Sequence, residues 1–460
     1  MEATTLEKQL DSRNRKKKHP PGLYLLFATE AWERFSYYGM RAILVLYLTK
    51  SLVEGGLGMN QAFALSLYGF FTGAVYLTPL VGGWLSDRFL GQRLAITLGG
   101  IVMALGNFVL FAHHSQAAVY AGLIILVIGN GFFKPNISTI VGELYDKEDT
   151  RRDAAFTIFY MGINLGAFFS PLVIGFITDK LFAVNHNGHI ASGYQYGFLT
   201  SAIGMVIGQV LFNALGNRYL GDIGKKPTAK RKVETQGEKI TAPLTKKEKQ
   251  RTAVVVILTA FVIFFWAGFE QAGGALTVYT DEFVNRDVFG FVIPTEWFQS
   301  VNPLFIIIFA PMVSALWIKL SRSNRDLPVP VKMGLGMILL GLGYLVLLLA
   351  IMKTGSDEHH IVNKANLLYI IVTYFFQTVG ELFLSPVGLS TTSKISPPKY
   401  ASLLMGVWLA SSGIANILAG QLGGLTASLG YLEVFGLIGL VTITFGLILL
   451  AFSKKVVQLM

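Results

Sequence analysis

Seven charged side chains stand deep inside long apolar runs of this 460-residue chain, away from their ends: Glu30, Glu33, Glu270 and Glu381, with Arg34, Arg41 and Lys134. A charge at bilayer depth costs about 3 kcal/mol or more, so it persists where it pairs, faces a wet cavity or works. Four of the seven fall in one run near the N-terminus. At 100° per residue, Glu30, Tyr37, Arg41 and Arg34 lie within about 60° of one another, a polar stripe about 16 Å long, with Glu33 beside it. Buried ion pairs seldom stabilise a fold relative to apolar packing, whereas clustered titratable groups suit proton relays. Other chemistries lack their residues. There is no cysteine for thiol catalysis, disulfides or metal binding. The seven histidines (His19, His113, His114, His186, His189, His359 and His360) sit in the tail or in loops. No apolar run holds a nucleophile–base pair or metal-ligand spacing, which excludes an intramembrane enzyme. No cofactor is expected.

The elements that must position these charges are membrane helices. Hydrophobic residues make up 53% of the chain and charged residues 14%, with mean hydropathy +0.54. A bilayer core about 30 Å thick needs roughly 20 mostly apolar residues per helix. Twelve segments qualify: about 23–49, 61–85, 94–112, 117–141, 154–178, 194–217, 252–280, 297–319, 330–352, 362–387, 400–427 and 430–452. They are too long for membrane strands and lack alternation. The fold class is therefore an all-α integral membrane protein. No apolar stretch with a small-residue cleavage site precedes the first segment, so no removable signal peptide is expected.

The net charge of +11 is a topology signal rather than a nucleic-acid surface. With the N-terminus on the cytoplasmic side, 30 of the 38 Lys and Arg residues fall on that side. Only Lys50, Lys180, Arg286, Lys353 and Lys364 fall opposite, and three lie within helices. This positive-inside pattern predicts both termini in the cytoplasm of a multi-pass protein of the inner membrane. The expected divisions are a tail (1–22), six helices (23–217), a basic linker (218–251), six helices (252–452) and a short tail (453–460). A 6+6 arrangement with a cytoplasmic linker is how major facilitator transporters are built, with substrate held between the halves. The run Gly83-Trp84-Leu85-Ser86-Asp87-Arg88-Phe89-Leu90-Gly91-Gln92-Arg93 resembles the loop motif of that superfamily.

The charged segments carry a narrower resemblance. Glu30-Ala31-Trp32-Glu33-Arg34, continuing through Tyr37 and Tyr38 to Arg41, resembles the first-helix ExxER signature of the proton-dependent oligopeptide transporter (POT) family. Phe159-Tyr160-Met161-Gly162-Ile163-Asn164-Leu165-Gly166 and Gly131-Phe132-Phe133-Lys134-Pro135-Asn136 are similar to its fifth- and fourth-helix motifs. In the second half Phe265-Trp266 with Glu270-Gln271, Trp297-Phe298-Gln299-Ser300-Val301-Asn302-Pro303, and Gly380-Glu381 through Pro386 agree.

The resemblance implies a proton-coupled symporter of di- and tripeptides, acting as a monomer in lipid. Glu30, Glu33 and Arg34 then form the proton-coupling cluster. Lys134 pairs with Glu270 near Arg41, so that protonation of Glu270 frees cations for the peptide carboxylate. Glu381 holds the amino group, and Asn164 and Asn302 bond the peptide backbone. Tyr37, Tyr38, Tyr76, Trp266, Trp408 and Ser412 line side-chain pockets. The residues themselves agree, since a zwitterionic peptide needs both a cationic and an anionic end in its site. Animal members carry a second-helix histidine where this chain has Gly69, which leaves proton binding to carboxylates. Many bacterial members insert two extra helices between the halves; here there is only the polar linker. Rival readings are a nutrient receptor, drug export, or uptake of nitrate or another anion, which the fixed carboxylate of Glu381 opposes.

Overall fold

The computed structural model describes residues 18–146, 149, 151–186, 189–227, 245–323, 325–354, 363–397 and 400–460. Residues 1–17 of the expected tail and 228–244 of the expected linker lie outside them. The first half contains α1 (Pro21–Thr49), α2 (Gln61–Leu85), α3 (Gln92–Ala112), α4 (Gln116–Glu143), α5 (Arg151–Phe176) and α6 (Tyr194–Leu220). The second contains α7 (Lys246–Phe269) and its continuation α8 (Ala275–Phe283), then α9 (Val301–Arg322), α10 (Val329–Thr354), α11 (Leu368–Ile395), α12 (Ala401–Gly424) and α13 (Tyr431–Leu459). Short two-stranded ribbons occur only in loops among the described residues.

Among the described residues, 11 helical segments are long and apolar enough to cross a bilayer. The remaining one is α1. Every 18-residue stretch of it carries at least three of Glu30, Glu33, Arg34 and Arg41, so charge rather than length sets it apart. Pro21 opens α1 where its fixed φ suits the first turn and its missing N–H costs nothing. The expected seventh helix, 252–280, is instead broken. Helix α7 gives way to a 3₁₀ turn at Glu270–Gly273 before α8 resumes, at the glycine pair Gly273–Gly274. The last helix runs on to Leu459, so the expected C-terminal tail is helical.

The two halves repeat one packing plan. In the first, α1 packs on α5 and α6, α3 on α4 and α6, and α2 on α4. In the second, α7 packs on α12 and α13, α10 on α11 and α13, and α9 on α11. Each neighbour pair thus recurs six spans later, which makes two like six-helix bundles.

The halves meet most closely toward the end opposite the termini. Lys50 Nζ is 2.5 Å from Asp281 Oδ2, and Gln61 Nε2 donates to the Tyr431 hydroxyl at 2.9 Å. From the turn before α9, Trp297 Nε1 donates to the Leu172 carbonyl at 3.0 Å. Ser300 Oγ likewise donates to that of Phe168 at 2.8 Å. Helices α2 and α12 touch backbone to backbone: a Cβ built at Gly69 would lie 2.5 Å from Gly420 Cα. Toward the termini, α4 and α5 make no comparable contact with α11 or α12 among the described residues. One end is closed, and the halves stand apart at the other.

Candidate functional site

Between the halves lies a cavity of about 190 Å³, lined from α1, α2, α5, α7, α9 and α11. The broken seventh span brings Glu270 to its wall. Arg41 Nη2 reaches across from α1 to pair with Glu270 Oε2, and Arg41 Nε donates to the Tyr68 hydroxyl. On α11, Glu381 Oε2 accepts from Asn302 Nδ2 at 3.0 Å, and Asn302 also donates to Thr378 Oγ1 at 3.0 Å. Thus one cavity presents a fixed cation held by an acid, together with a second carboxylate held, among the described residues, by an amide. Tyr38, Tyr76, Asn164 and Trp266 complete the part of the lining expected from the sequence. Asn164 Nδ2 donates to the Tyr160 carbonyl of its own helix at 3.1 Å.

A second cluster lies on α1, two turns or more from Arg41 and buried. Arg34 Nε is 2.8 Å from Glu30 Oε1 and 2.6 Å from Glu33 Oε2. Neither contact has hydrogen-bond alignment, so the geometry is that of one cation shared between two acids rather than two directed bonds. Asn130 on α4 approaches Glu33 at 3.5 Å. Two acids sharing one arginine leave a surplus negative charge if both are ionised, an arrangement suited to exchanging a proton.

Lys134 departs from the pairing the resemblance implies. Its Nζ stands 3.9 Å from the centroid of the Tyr76 ring, a cation–π contact. No carboxylate among the described residues lies within ion-pair distance of it, and Glu270 is held by the Arg41 guanidinium instead. Three pocket residues also depart. Tyr37 is buried edge-on against Tyr38 at 5.3 Å and does not line the cavity, since the face of α1 toward the other half centres between Tyr38 and Arg41. Trp408 packs its ring over Gly388, whose lack of a side chain leaves the slot it fills. Ser412 lies on the same helix, its carbonyl accepting from Asn416 Nδ2 at 2.8 Å, and it too is off the cavity.

Sequence reasoning missed Tyr68, Tyr160, Phe269, Gln299 and Tyr374. Two of these were readable. Tyr160 precedes Asn164 by one helical turn, and Gln299 precedes Asn302 by three residues, so each shares a face with a residue already singled out.

Comparison with known proteins gives the family of the chain. The profile of the POT family matches residues 93–237 and 227–441. The chain is 35% identical to the uncharacterized transporter YclF of Bacillus subtilis (strain 168), over 96% of this chain and 95% of that one. It is 31% identical to a di-/tripeptide transporter of Lactococcus lactis subsp. cremoris, over 96% of both. The crystal structure of a POT family transporter in complex with 5-aminolevulinic acid superposes with TM-score 0.85 at 31% identity, covering 95% of this chain and 97% of that one. With both halves matched and the helices superposing from end to end, the chain belongs to the POT family of transporters, on the twelve-helix major facilitator fold.

Proposed function

We propose that this protein imports di- and tripeptides by proton-coupled symport and alternating access. The observation that carries the reading is the charge layout of the central cavity, with Arg41 on Glu270 and Glu381 held by Asn302. A zwitterion fits that layout, its carboxylate toward Arg41 and Lys134 and its amino group toward Glu381. The Lactococcus relative is named for di- and tripeptides. The ligand of the superposed structure, 5-aminolevulinic acid, carries an amino group and a carboxylate at its two ends. A small anion suits the site poorly, because Glu381 repels it.

In this scheme Glu270 takes up a proton and releases Arg41, which turns to the peptide carboxylate, with Lys134 joining it. Asn164 and Asn302 bond the peptide backbone, while Tyr38, Tyr76 and Trp266 pack its side chains. Glu30 and Glu33 exchange the coupled proton against Arg34. The closed end faces outward and the parted end, with both termini, faces the cytoplasm, consistent with the clustering of Lys and Arg. The halves 23–217 and 252–452 rock about the cavity, joined by the linker 218–251 between tails 1–22 and 453–460. The protein works as a monomer in the inner membrane.

The test is uptake of radiolabelled dialanine into proteoliposomes. Accumulation above equilibrium under an inward proton gradient, abolished by a protonophore, is the expected result. Equal uptake with and without the gradient overturns proton coupling, and no uptake of any di- or tripeptide overturns the substrate.

A further inference from the structure

The turn Thr295–Ser300 that leads into α9 carries a carboxylate the proposed mechanism does not use. Glu296 is 0% exposed. Among the described residues, no other residue hydrogen-bonds its carboxyl oxygens and no cation lies within ion-pair distance. The nearby bases are engaged elsewhere. Lys50 at the end of α1 is 2.5 Å from Asp281 Oδ2, and Arg286, after α8, is 2.8 Å from Asp281 Oδ1. Thr295 Oγ1 donates to the same carboxylate at 2.7 Å. The other groups facing Glu296 are Asp179 beyond α5, whose carboxylate accepts from Ser192 Oγ at 3.0 Å, and Tyr194 at the start of α6.

This pocket exists only because the end is closed. Its far wall is α5 of the other half, clamped to the turn through Trp297 and Ser300. At Gly175 on α5, a Cβ would lie 3.2 Å from Glu296 Cβ and 3.3 Å from Oε2, so the missing side chain makes room for the carboxyl group.

We propose that Glu296 is a proton-binding site of the seam, uncharged while that end is closed and ionised when the halves part. An ionised carboxylate buried without a partner costs several kcal/mol, and two further acids nearby add repulsion. A bound proton removes that cost, and parting the halves removes it instead by admitting water. Closing the end therefore takes up a proton and opening it releases one, so low pH on that side favours closure. Because the seam exchanges with one face only, Glu296 decides which end is open without itself carrying protons across. The proposal rests on the alternating-access reading but not on peptide being the cargo.

The chain has no cysteine, so two introduced cysteines report the seam without background. Val53→Cys in the first half and Phe289→Cys in the second are exposed sites at the closed end. Spin-label distances between them, in lipid nanodiscs across a pH series, read the open population directly. That population is expected to rise with pH in the parent and to lose most of its pH dependence in Glu296→Gln. The infrared carbonyl band of a protonated carboxyl should be present in the closed parent and reduced in that variant. Unchanged pH dependence, or an undiminished band, overturns the proposal. Should the glutamine variant fail to fold, Glu296→Met decides. An uncharged, unpaired Glu296 predicts that methionine melts no lower than the parent and stays closed at every pH. A lower melt with the parent's pH response intact shows a carboxylate held in its ionised form, which overturns it. Peptide uptake is not a readout, so a failed seam leaves the import reading standing, and failed import leaves the seam result interpretable.

Discussion

Replacing Glu270 by glutamine removes its charge and keeps its shape, so the cost shows which cation it holds. The side chains of Arg41 and Glu270 are 11% and 7% exposed. Opposite unit charges about 4 Å apart attract by about 4 kcal/mol at an effective dielectric near 20. Desolvation of both groups offsets part of that, leaving a coupling of about 2–3 kcal/mol. Arg41→Gln and Glu270→Gln each strand the other charge and should cost about 3–5 kcal/mol. The double variant should cost less than their sum by the coupling. The assay is equilibrium unfolding in mixed detergent followed by near-UV circular dichroism, with thermal melting as a check. A parallel cycle with Lys134→Gln in place of Arg41→Gln should show coupling below about 0.5 kcal/mol. Saturating dialanine should weaken the Arg41–Glu270 coupling, because the guanidinium then shares its charge with the ligand carboxylate. Additive losses at Arg41 and Glu270 would refute the resident pair. A larger coupling to Lys134 would restore the pairing that the sequence resemblance implies.

Three further substitutions test separate parts of the scheme. Glu30→Gln should abolish uphill, proton-driven uptake while leaving peptide counterflow measurable, since exchange needs no net proton movement; full accumulation by the variant rules out its coupling role. Glu381→Gln should weaken a free-amino dipeptide by about 1–3 kcal/mol while barely affecting its N-acetylated form, and equal losses in a binding assay mean the carboxylate does not read the amino group. Lys50→Ala should loosen the closed end by about 1–2 kcal/mol, roughly tenfold in the closed-to-open ratio, read by the same spin-label distances. Burial disfavours the Lys50 charge, yet Asp281 beside it outweighs this and raises the pKa. The contribution of the pair is then complete below the ordinary lysine pKa and lost only as pH rises through the raised value. Lys50→Ala should therefore cost the same at acid and neutral pH, unlike Glu296→Gln, and a loss confined to one of them contradicts the pairing.

What could be read from the chain was whatever a single helix determines. A charge in an apolar run is countable, so the spans followed, and so did the α1 cluster, because Glu30 and Arg34 are one turn apart. Contacts between the halves were not readable in the same way, since they depend on which end is closed. Arg41, Lys134 and Glu270 lie on three spans of two bundles, and the spacing within each helix says nothing about which cation reaches the acid. Trp408 and Ser412 show the same gap: the resemblance implied a pocket, but the ring of Trp408 turned into the slot at Gly388. Gly69 gains a reason it lacked in the sequence. With Gly420 Cα 2.5 Å from where its Cβ would stand, no histidine fits there while the end is closed.

Glu296 was missed for a different cause. The apolar window predicted 297–319, so this acid fell one residue outside and was not counted among the intramembrane charges. Window hydropathy places a helix end where composition changes, whereas the chain places it where the turn finds partners. Here the 3₁₀ turn Thr295–Ser300 hooks onto α5 through Trp297 and Ser300 and draws its neighbouring acid inward. Whether a charge at such an edge is wet depends on what the opposite bundle lays over it. That is why the acids that sense the closing of a two-bundle transporter should be sought at the rims of its apolar windows, as well as at their centres.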